Sequence, residues 1–526
     1  MKRILILFII LSGNFNTLCS QIVMPVKYDS SKKTNYIRIW DAMAPITHSD
    51  TILTRPYKDV KQSTSYFDGL GRPLQTVIRK GSLVTGDSAR DYVTAQVYDD
   101  LGREVYRFLP FAANNTGSNS SISDGKFKLN PFQKDSSFNK GLFIDEAYYY
   151  GKSVFESSPL NRPLENYAPG DSWVGTASQS SEASRRAVKY KYWVNKTADS
   201  VRIWTVSNVS NDFGTYTSSG IYTQGTLFKT ATQDEHNKQV IEFKDKEGLV
   251  VLKKVQLTAE ADTGTGKNHT GWLCTYYIYD DLNQLRAVIQ PKGVELLAVN
   301  GWSMSYSSGV ILNEQCFRYE YDNRGRMIIK KVPGANMVEM VYDERDRLVM
   351  SRDGNMLANN QWLVTTYDQL NRPLMTMMYG NGDGRDYHSD GAVGQVIYPD
   401  PGDMAGSLDT LTSTFYDSYD WRSSYGNPLS ATRNTSYDSY MQTPSNTVWP
   451  YAQDATVQSS QLRGKVTGTR VKVLGSNTYL YTANFYDGKS RIIQSQSTNY
   501  SGGTDIITNQ YVWNGDVLLS INKHEK

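Results

Sequence analysis

One short motif recurs along this chain and limits what it can fold into. It reads aromatic, Asp, two variable residues, a turn former, Arg. Phe67-Asp68-Gly69-Leu70-Gly71-Arg72 is one copy and Tyr98-Asp99-Asp100-Leu101-Gly102-Arg103 the next. Tyr321-Asp322-Asn323-Arg324-Gly325-Arg326, Tyr342-Asp343-Glu344-Arg345-Asp346-Arg347, Tyr367-Asp368-Gln369-Leu370-Asn371-Arg372 and Tyr486-Asp487-Gly488-Lys489-Ser490-Arg491 follow. Tyr279-Asp280-Asp281-Leu282-Asn283 keeps the frame with Gln284 in place of Arg. Weaker copies stand at Phe155-Glu156 with Asn161-Arg162, at Asp245 to Gly248, and at Tyr416-Asp417 with Arg422.

The motif has the chemistry of a β-hairpin tip. An Asp at the first turn position hydrogen-bonds backbone N–H groups two residues on. The fifth position holds Gly71, Gly102, Gly325, Asp346, Asn371 and Ser490, and Gly, Asn and Asp best tolerate the left-handed backbone that short hairpin loops need. Two positions past the Arg stand Leu74, Val105, Ile328, Val349, Leu374 and Ile493. A four-residue loop starting at Asp sets aromatic and Arg of one copy opposite each other, with the aliphatic on the same sheet face. One hairpin alone is marginal in water, whereas many stacked hairpins cover each other's faces. The expected fold is therefore all-β: stacked hairpins forming a curved β-solenoid or open shell, with long loops and little helix. Spacing is irregular, 31 residues from Phe67 to Tyr98 but 21 from Tyr321 to Tyr342, so insertions interrupt the array. Regions 112–140, 169–186 and 379–410 read as loops, and Val294 to Val299 as a short helix.

Composition agrees and excludes several functions. The 526 residues include 37 Tyr and 40 Gly, which favours strands and turns. A net charge of +3 argues against a nucleic-acid binder. Five His and three Cys leave little material for metal or redox chemistry, so no cofactor is expected.

The N-terminus reads as an export signal: Lys2 and Arg3, an apolar run from Ile4 to Leu11, then a small-residue-bearing polar stretch to Ser20. The run is too short to span a bilayer, and no later stretch approaches that length, so the mature chain is expected to be secreted, periplasmic or on the cell surface. Cys19 as a lipidation site is disfavoured by the bulky Leu18 before it. Of the remaining cysteines, Cys274 and Cys316 can pair in an oxidising compartment or stay as buried thiols.

Candidate chemistry is sparse. His388, in Asn381 to Gly391, resembles a calcium loop only loosely, because Arg385 occupies a ligand position and no terminal Glu follows, so a flexible polar loop is the expectation. His48, His236 and His269 read as surface histidines. Asp99-Asp100 and Asp280-Asp281 suggest a glycosidase pair, but turn formation accounts for every copy. No G-x-S-x-G elbow or phosphate loop occurs.

The Tyr-Asp pattern resembles the YD repeats of the RHS and insecticidal toxin-complex families. The chain is similar to the N-terminal part of exported bacterial RHS-repeat proteins that open with a domain of unknown function. Tyr66 to Gln75, Ser158 to Arg162, Ala168 to Gly175, Glu242 to Gly248 and Tyr276 to Leu282 carry this resemblance, which covers roughly residues 35 to 375 well and the remainder loosely. It implies a β-solenoid shell around a variable C-terminal effector, often a toxin, closed by a core with an aspartyl self-cleavage site. The chain departs from that pattern: Asp400-Pro401-Gly402-Asp403 lacks the Tyr/Arg-rich run that marks the core. Self-proteolysis and toxicity are therefore not expected of these residues.

The implied organisation is a signal peptide (1–20), an N-terminal domain with the first repeats (21–175), a β-rich insertion (176–240) and a repeat solenoid without the core (241–526). The favoured function is a non-catalytic shell segment that encloses or presents a polypeptide effector or pairs with a downstream core. A carbohydrate-binding adhesion module, with aromatic platforms for cell-surface glycans, and a hydrolase assembled from distant loops are the alternatives. An unpaired strand edge near Ile521 would invite a partner chain or self-association.

Overall fold

The computed structural model describes residues 27–28, 34–46, 48–82, 88–117, 121–171, 173–174, 186–209, 212–257, 265–305, 309–395, 398–400, 402, 404, 408–425, 427–442 and 455–526. The export signal, with Cys19, lies outside them, as do Pro401 and Asp403. The chain divides into two compact units, one within 1–41, 53–190 and 232–237, the other within 42–52, 191–231 and 238–526.

The first unit is an antiparallel sheet with a helix. Val60–Phe67 pairs with Asn35–Ala42 on one side and with Pro73–Ile78 on the other. Pro73–Ile78 pairs with Tyr92–Val97, which also takes Tyr106–Phe108 and Phe111–Ala112. Pairing then continues through Tyr150–Phe155 and Pro163–Tyr167 to Ala187–Val194. Tyr66, Val77, Val93, Phe111 and Ala113 form the core, with Ile122, Phe127 and Phe138 against them. Region 112–140, expected to be loop, contains most of the helix Pro131–Leu142, which starts with Pro at its first turn, where the missing N–H costs nothing. Sparse apolar residues hid it: the inward positions include Lys134, Asp135 and Asn139.

The second unit contains sixteen strands in unbroken sequence order, from Gln239–Lys244 to Val517–Lys523, each antiparallel to the next among the described residues. The sheet is open, as the all-β expectation has it. Strands alternate as half-buried strands should: Trp272, Cys274, Tyr276 and Ile278 are buried while Leu273 between them is exposed. The largest core joins these residues to Ile241, Phe243, Leu252, Ile289 and Cys316, and to Tyr216 from a hairpin (Arg202–Val209 with Asp212–Ile221) laid against this sheet. Its helix Pro291–Val299 includes the expected segment. Region 379–410 is not all loop: Arg385–Ala392 is helical, and its inward Ala392 joins the core around Val341, Trp362 and Met377. A third core surrounds Phe485 and Trp421. Gly468 is required there, because a Cβ would sit 2.0 Å from the Trp421 ring.

Cys274 and Cys316 are free, buried thiols. They lie on strands that pair with Leu285–Ile289 from opposite sides, and Cys316 is in line with Tyr276, two residues along from Cys274, so they stand more than about 9.6 Å apart, beyond disulfide reach. Burial pushes their pKa values up to about 11 and about 12, so both stay protonated and unreactive.

Asp135 is buried in the first unit. One carboxyl oxygen accepts from Asn139 at 2.7 Å, and the other has no hydrogen-bond partner. Burial pushes its pKa up to about 7. The folded state therefore favours the protonated acid. The stability this gives is complete below the ordinary aspartate pKa near 3.8 and is lost as pH rises through about 7. Urea unfolding of Asp135→Asn against wild type is expected to show a stability gain that grows from pH 4 to pH 7, reaching about 2–4 kcal/mol, and then levels. A gain independent of pH would contradict the assignment.

Candidate functional site

The recurring motif builds one geometry throughout. In the copy at Tyr342, the Asp343 N–H donates to the Arg347 carbonyl at 3.1 Å and the Asp346 N–H to the Asp343 carbonyl at 3.1 Å. Asp343 Oδ1 accepts the N–H groups of Arg345 and Arg347, and Oδ2 accepts Arg347 Nε at 2.6 Å. The carboxylate thus satisfies two loop amides and clamps its own arginine. Asp68 with Arg72, Asp99 with Arg103, Asp322 with Arg326, Asp368 with Arg372, and Asp487 with Arg491 repeat this at Nε–Oδ2 distances of 2.6 to 2.8 Å. The fifth residue has positive φ in every copy: 80° at Gly71, 78° at Gly102, 75° at Gly325, 61° at Asp346, 64° at Asn371 and 70° at Ser490. These contacts depress the carboxyl pKa values of Asp68, Asp99 and Asp368. The Arg72 amide does most at Asp68, while at Asp99 burial opposes and the Arg103 amide and guanidinium prevail.

Within a copy the aromatic does not face its arginine. Tyr342 pairs with Leu348, Tyr321 with Met327, Tyr367 with Pro373 and Tyr486 with Ile492. Asp and Arg close a three-residue loop, and a register shift sits directly beside each aromatic, so Val349 and Ile493 fall at bulges and enter the core. A bulge cannot be read from period-two reasoning, which is why the expected same-face arrangement fails.

The arginine instead reaches the following copy. The Arg72 guanidinium lies 4.8 Å from the Tyr98 ring centre and Arg103 5.1 Å from Phe155. Arg326 covers Tyr342 at 4.9 Å, Arg347 covers Tyr367 at 4.8 Å, Arg372 covers Tyr416 at 4.2 Å and Arg491 covers Tyr511 at 4.6 Å. A second outgoing contact joins Arg326 Nη1 to the Asp343 carbonyl at 3.1 Å and Arg103 Nη1 to the Glu156 carbonyl at 3.0 Å. The tyrosine answers: its hydroxyl donates to the carbonyl just past the preceding arginine position. Tyr342 thus bonds Met327, Tyr367 bonds Leu348, Tyr416 bonds Pro373 and Tyr511 bonds Ile492, at 2.8 to 3.1 Å. Where Gln284 replaces Arg, the hydroxyl link remains, Tyr321 to the Leu285 carbonyl at 3.2 Å, and Arg286 takes up the Asp280 carboxylate at 3.1 Å.

The weaker copies close as hairpins too. Glu156 replaces Asp and is clamped by Arg162, which holds its pKa down at about 2. Asp245 and Gly248 form the turn with Leu249 in the arginine position. Tyr416-Asp417 does not close on Arg422, whose Nη1 donates to the Leu429 carbonyl. It closes on Lys465: the Asp417 N–H donates to the Lys465 carbonyl, Tyr416 pairs with Val466, and the Tyr486 hydroxyl donates to Val466. The 47 residues 418–464 are spliced into that tip. Tyr511-Val512-Trp513 also turns, with Val512 and Asp516 in the Asp and Arg positions. The first was expected to close on Arg422 because its tip is split, and the second escaped sequence reading because Val512 and Asp516 stand where the motif has Asp and Arg.

Other buried charges serve as internal ties. Arg286 pairs with Glu320, which also accepts the Gly214 N–H. Arg352 pairs with Glu339, stacks 4.1 Å from the Trp362 ring and donates to the Asp383 carbonyl. Lys254 donates to the carbonyls of Asp199 and Gly266, and Lys128 pairs with Asp91 and Asp124.

His48 and His236 are exposed. His269 is not a surface residue: its ring packs on Trp302 and Nε2 lies 2.8 Å from the Tyr276 hydroxyl, which accepts the Arg202 N–H. Burial, reinforced by Lys254 and Arg202, lowers its pKa to about 3. His388 sits in the helix, not a polar loop, buried against Trp362 and bonded to Tyr398 and Asn381. Among the described residues no three His, Cys, Asp or Glu side chains are placed to hold a metal. Asp99 and Asp280 are consumed by their turns, and Asp100 and Asp281 are exposed at the tips. A cavity of about 530 Å³ beside Trp272, Cys274 and Val294 has a mainly apolar wall.

Magnitude separates buried from exposed ties. Arg347→Ala strands Asp343, whose side chain is fully buried, and is expected to cost about 3 kcal/mol by urea unfolding. Arg324→Ala removes an exposed pair to Asp346 and is expected to cost under about 1 kcal/mol. Equal losses would show that the ladder is not what holds the hairpins together.

The family described as Domain of unknown function (DUF6443) matches residues 38–187. No curated protein matches the chain. Among solved structures, the crystal structure of TcdB2-TccC3-TEV is similar over 89% of this chain and 19% of that one, at 12% identity and a TM-score of 0.43. TcdB2-TccC3 without its hypervariable C-terminal region is similar at 13% identity and a TM-score of 0.43, over 88% of this chain and 18% of that one. The Photorhabdus luminescens Tc holotoxin pore is similar at 13% identity and a TM-score of 0.39, over 89% and 22%. The chain spans about a fifth of the length of these proteins.

Proposed function

We propose that this chain is a structural shell segment of an exported RHS-repeat-type protein, whose sheet encloses or presents a polypeptide effector. The observation that carries this reading is the ladder: the motif's carboxylate is spent on its own turn, its guanidinium on that turn and the ring of the next copy, and its tyrosine on the preceding copy. The resemblance of the motif to YD repeats supplies the effector. The signal pattern supplies export, and among the described residues no helix is long and apolar enough to cross a membrane. The division into signal peptide, N-terminal domain, insertion and repeat segment belongs to the same reading.

Protection of a cargo tests it. An unstructured reporter with several protease sites, fused after Lys526, is expected to be cleaved at least about tenfold more slowly than the free reporter. An Asp343→Ala/Asp368→Ala double variant is expected to lose that protection. Equal cleavage of fused and free reporter, with the ladder intact by circular dichroism, overturns the proposal.

A further inference from the structure

The insertion 418–464 shows how this sheet holds a chain that is not one of its strands. Strands Ile492–Thr498 and Thr504–Tyr511 carry buried glutamines toward it. Gln494 makes a two-point amide clamp: its Oε1 accepts the Asn434 N–H at 2.7 Å and its Nε2 donates to the Asn434 carbonyl at 2.8 Å. Gln510 does the same to Gln442, at 2.9 and 3.0 Å. Gln496 Nε2 donates to the Thr432 carbonyl and to Gln494 Oε1, and Thr508 accepts from Gln494, which fixes the clamp amide. The first unit repeats the device independently, with Gln75 clamping the N–H and carbonyl of Lys128 at 2.7 and 3.0 Å.

What the clamps read is backbone. Every residue from Ser430 to Gln442 is exposed or half-buried, whereas Gln494, Gln496 and Gln510 are 0 to 5% exposed. The Arg433 guanidinium pairs with Asp438 inside the same stretch. A primary amide pairs with a peptide group as two peptide groups pair in a sheet, whatever side chain the peptide carries. A buried glutamine with no such partner costs free energy, so the face is complementary to a polypeptide lying on it.

We infer that the face carrying Gln494, Gln496 and Gln510 is a docking track for extended polypeptide backbone, independent of side-chain sequence. Residues 431–442 fill it as an exchangeable strap, and the occupant that displaces them is a segment of an unfolded partner polypeptide. This rests on the shell reading only for the source of the partner.

The test uses the full chain and a fluorescein-labelled synthetic peptide of residues 430–442. The variant Asn434→Pro/Gln442→Pro removes both strap donors and is expected to bind the peptide at least about tenfold more tightly than wild type. A peptide of shuffled sequence is expected to bind equally. A peptide N-methylated at the positions of Asn434 and Gln442, or the variant Gln494→Leu/Gln510→Leu, is expected to lose binding at least about tenfold. No saturable binding to a proline variant with native circular dichroism, or binding that needs the original sequence, overturns the track. Should that variant not fold, hydrogen exchange of wild type decides. The Asn434 and Gln442 amides are expected to exchange at least about a hundredfold faster than those of Ile492–Thr498, and exchange at the strand rate overturns the exchangeable strap. Because the peptide comes from this chain, failure here leaves the reporter-protection result standing, and failure there leaves the track standing.

Discussion

The structure depends on a guanidinium that holds two hairpins at once. Its Nε is fixed by the carboxylate of its own turn, its planar face covers the aromatic ring of the next copy, and in several copies Nη1 reaches the next turn's backbone. Lysine could not do all three, because only the planar fork offers donors at its edge and a face for stacking. Each contact alone is worth about 0.5–1 kcal/mol when partly exposed. The tyrosine hydroxyl returning to the preceding carbonyl adds a hydrogen bond of about 1 kcal/mol. A single rung is weak, but every rung presents its neighbour with a preformed partner, so the rungs support one another along the strand order.

The hairpins could be read from the sequence because each is local. Asp343, Asp346 and Arg347 lie within five positions, and the need for a left-handed residue at the fifth place is a property of the loop itself. The link between copies could not be read, since nothing in Arg347 says that its face belongs to Tyr367. The bulge beside each aromatic inverted the expected side-chain pairing for the same reason. The split copy is the sharpest case: Arg422 follows Asp417 at a plausible distance, yet the true closing residue is Lys465. The helices Pro131–Leu142 and Arg385–Ala392 hid because polar residues occupy their inward positions and find partners only through tertiary contacts.

Charge is used in this protein mainly as internal fastening. Arg286 with Glu320 and Arg352 with Glu339 each join two neighbouring strands, buried and hydrogen-bonded further to backbone groups. Such pairs contribute little net stability but fix which strand sits beside which, since a shifted register would leave a charge buried alone. In a sheet of repeated hairpins with similar faces, slippage is the main alternative fold. These distinct pairs tell otherwise similar copies apart.

The tip between Asp417 and Lys465 has a further consequence. A detour of 47 residues there leaves the flanking strands in register, because closure needs only the two ends of the tip and the arginine arriving from the previous copy. Each bend is thus a doorway through which new sequence can enter without retuning the wall. Lineages could acquire or shed whole surface modules at these bends, leaving the scaffold almost untouched while its outward identity changes.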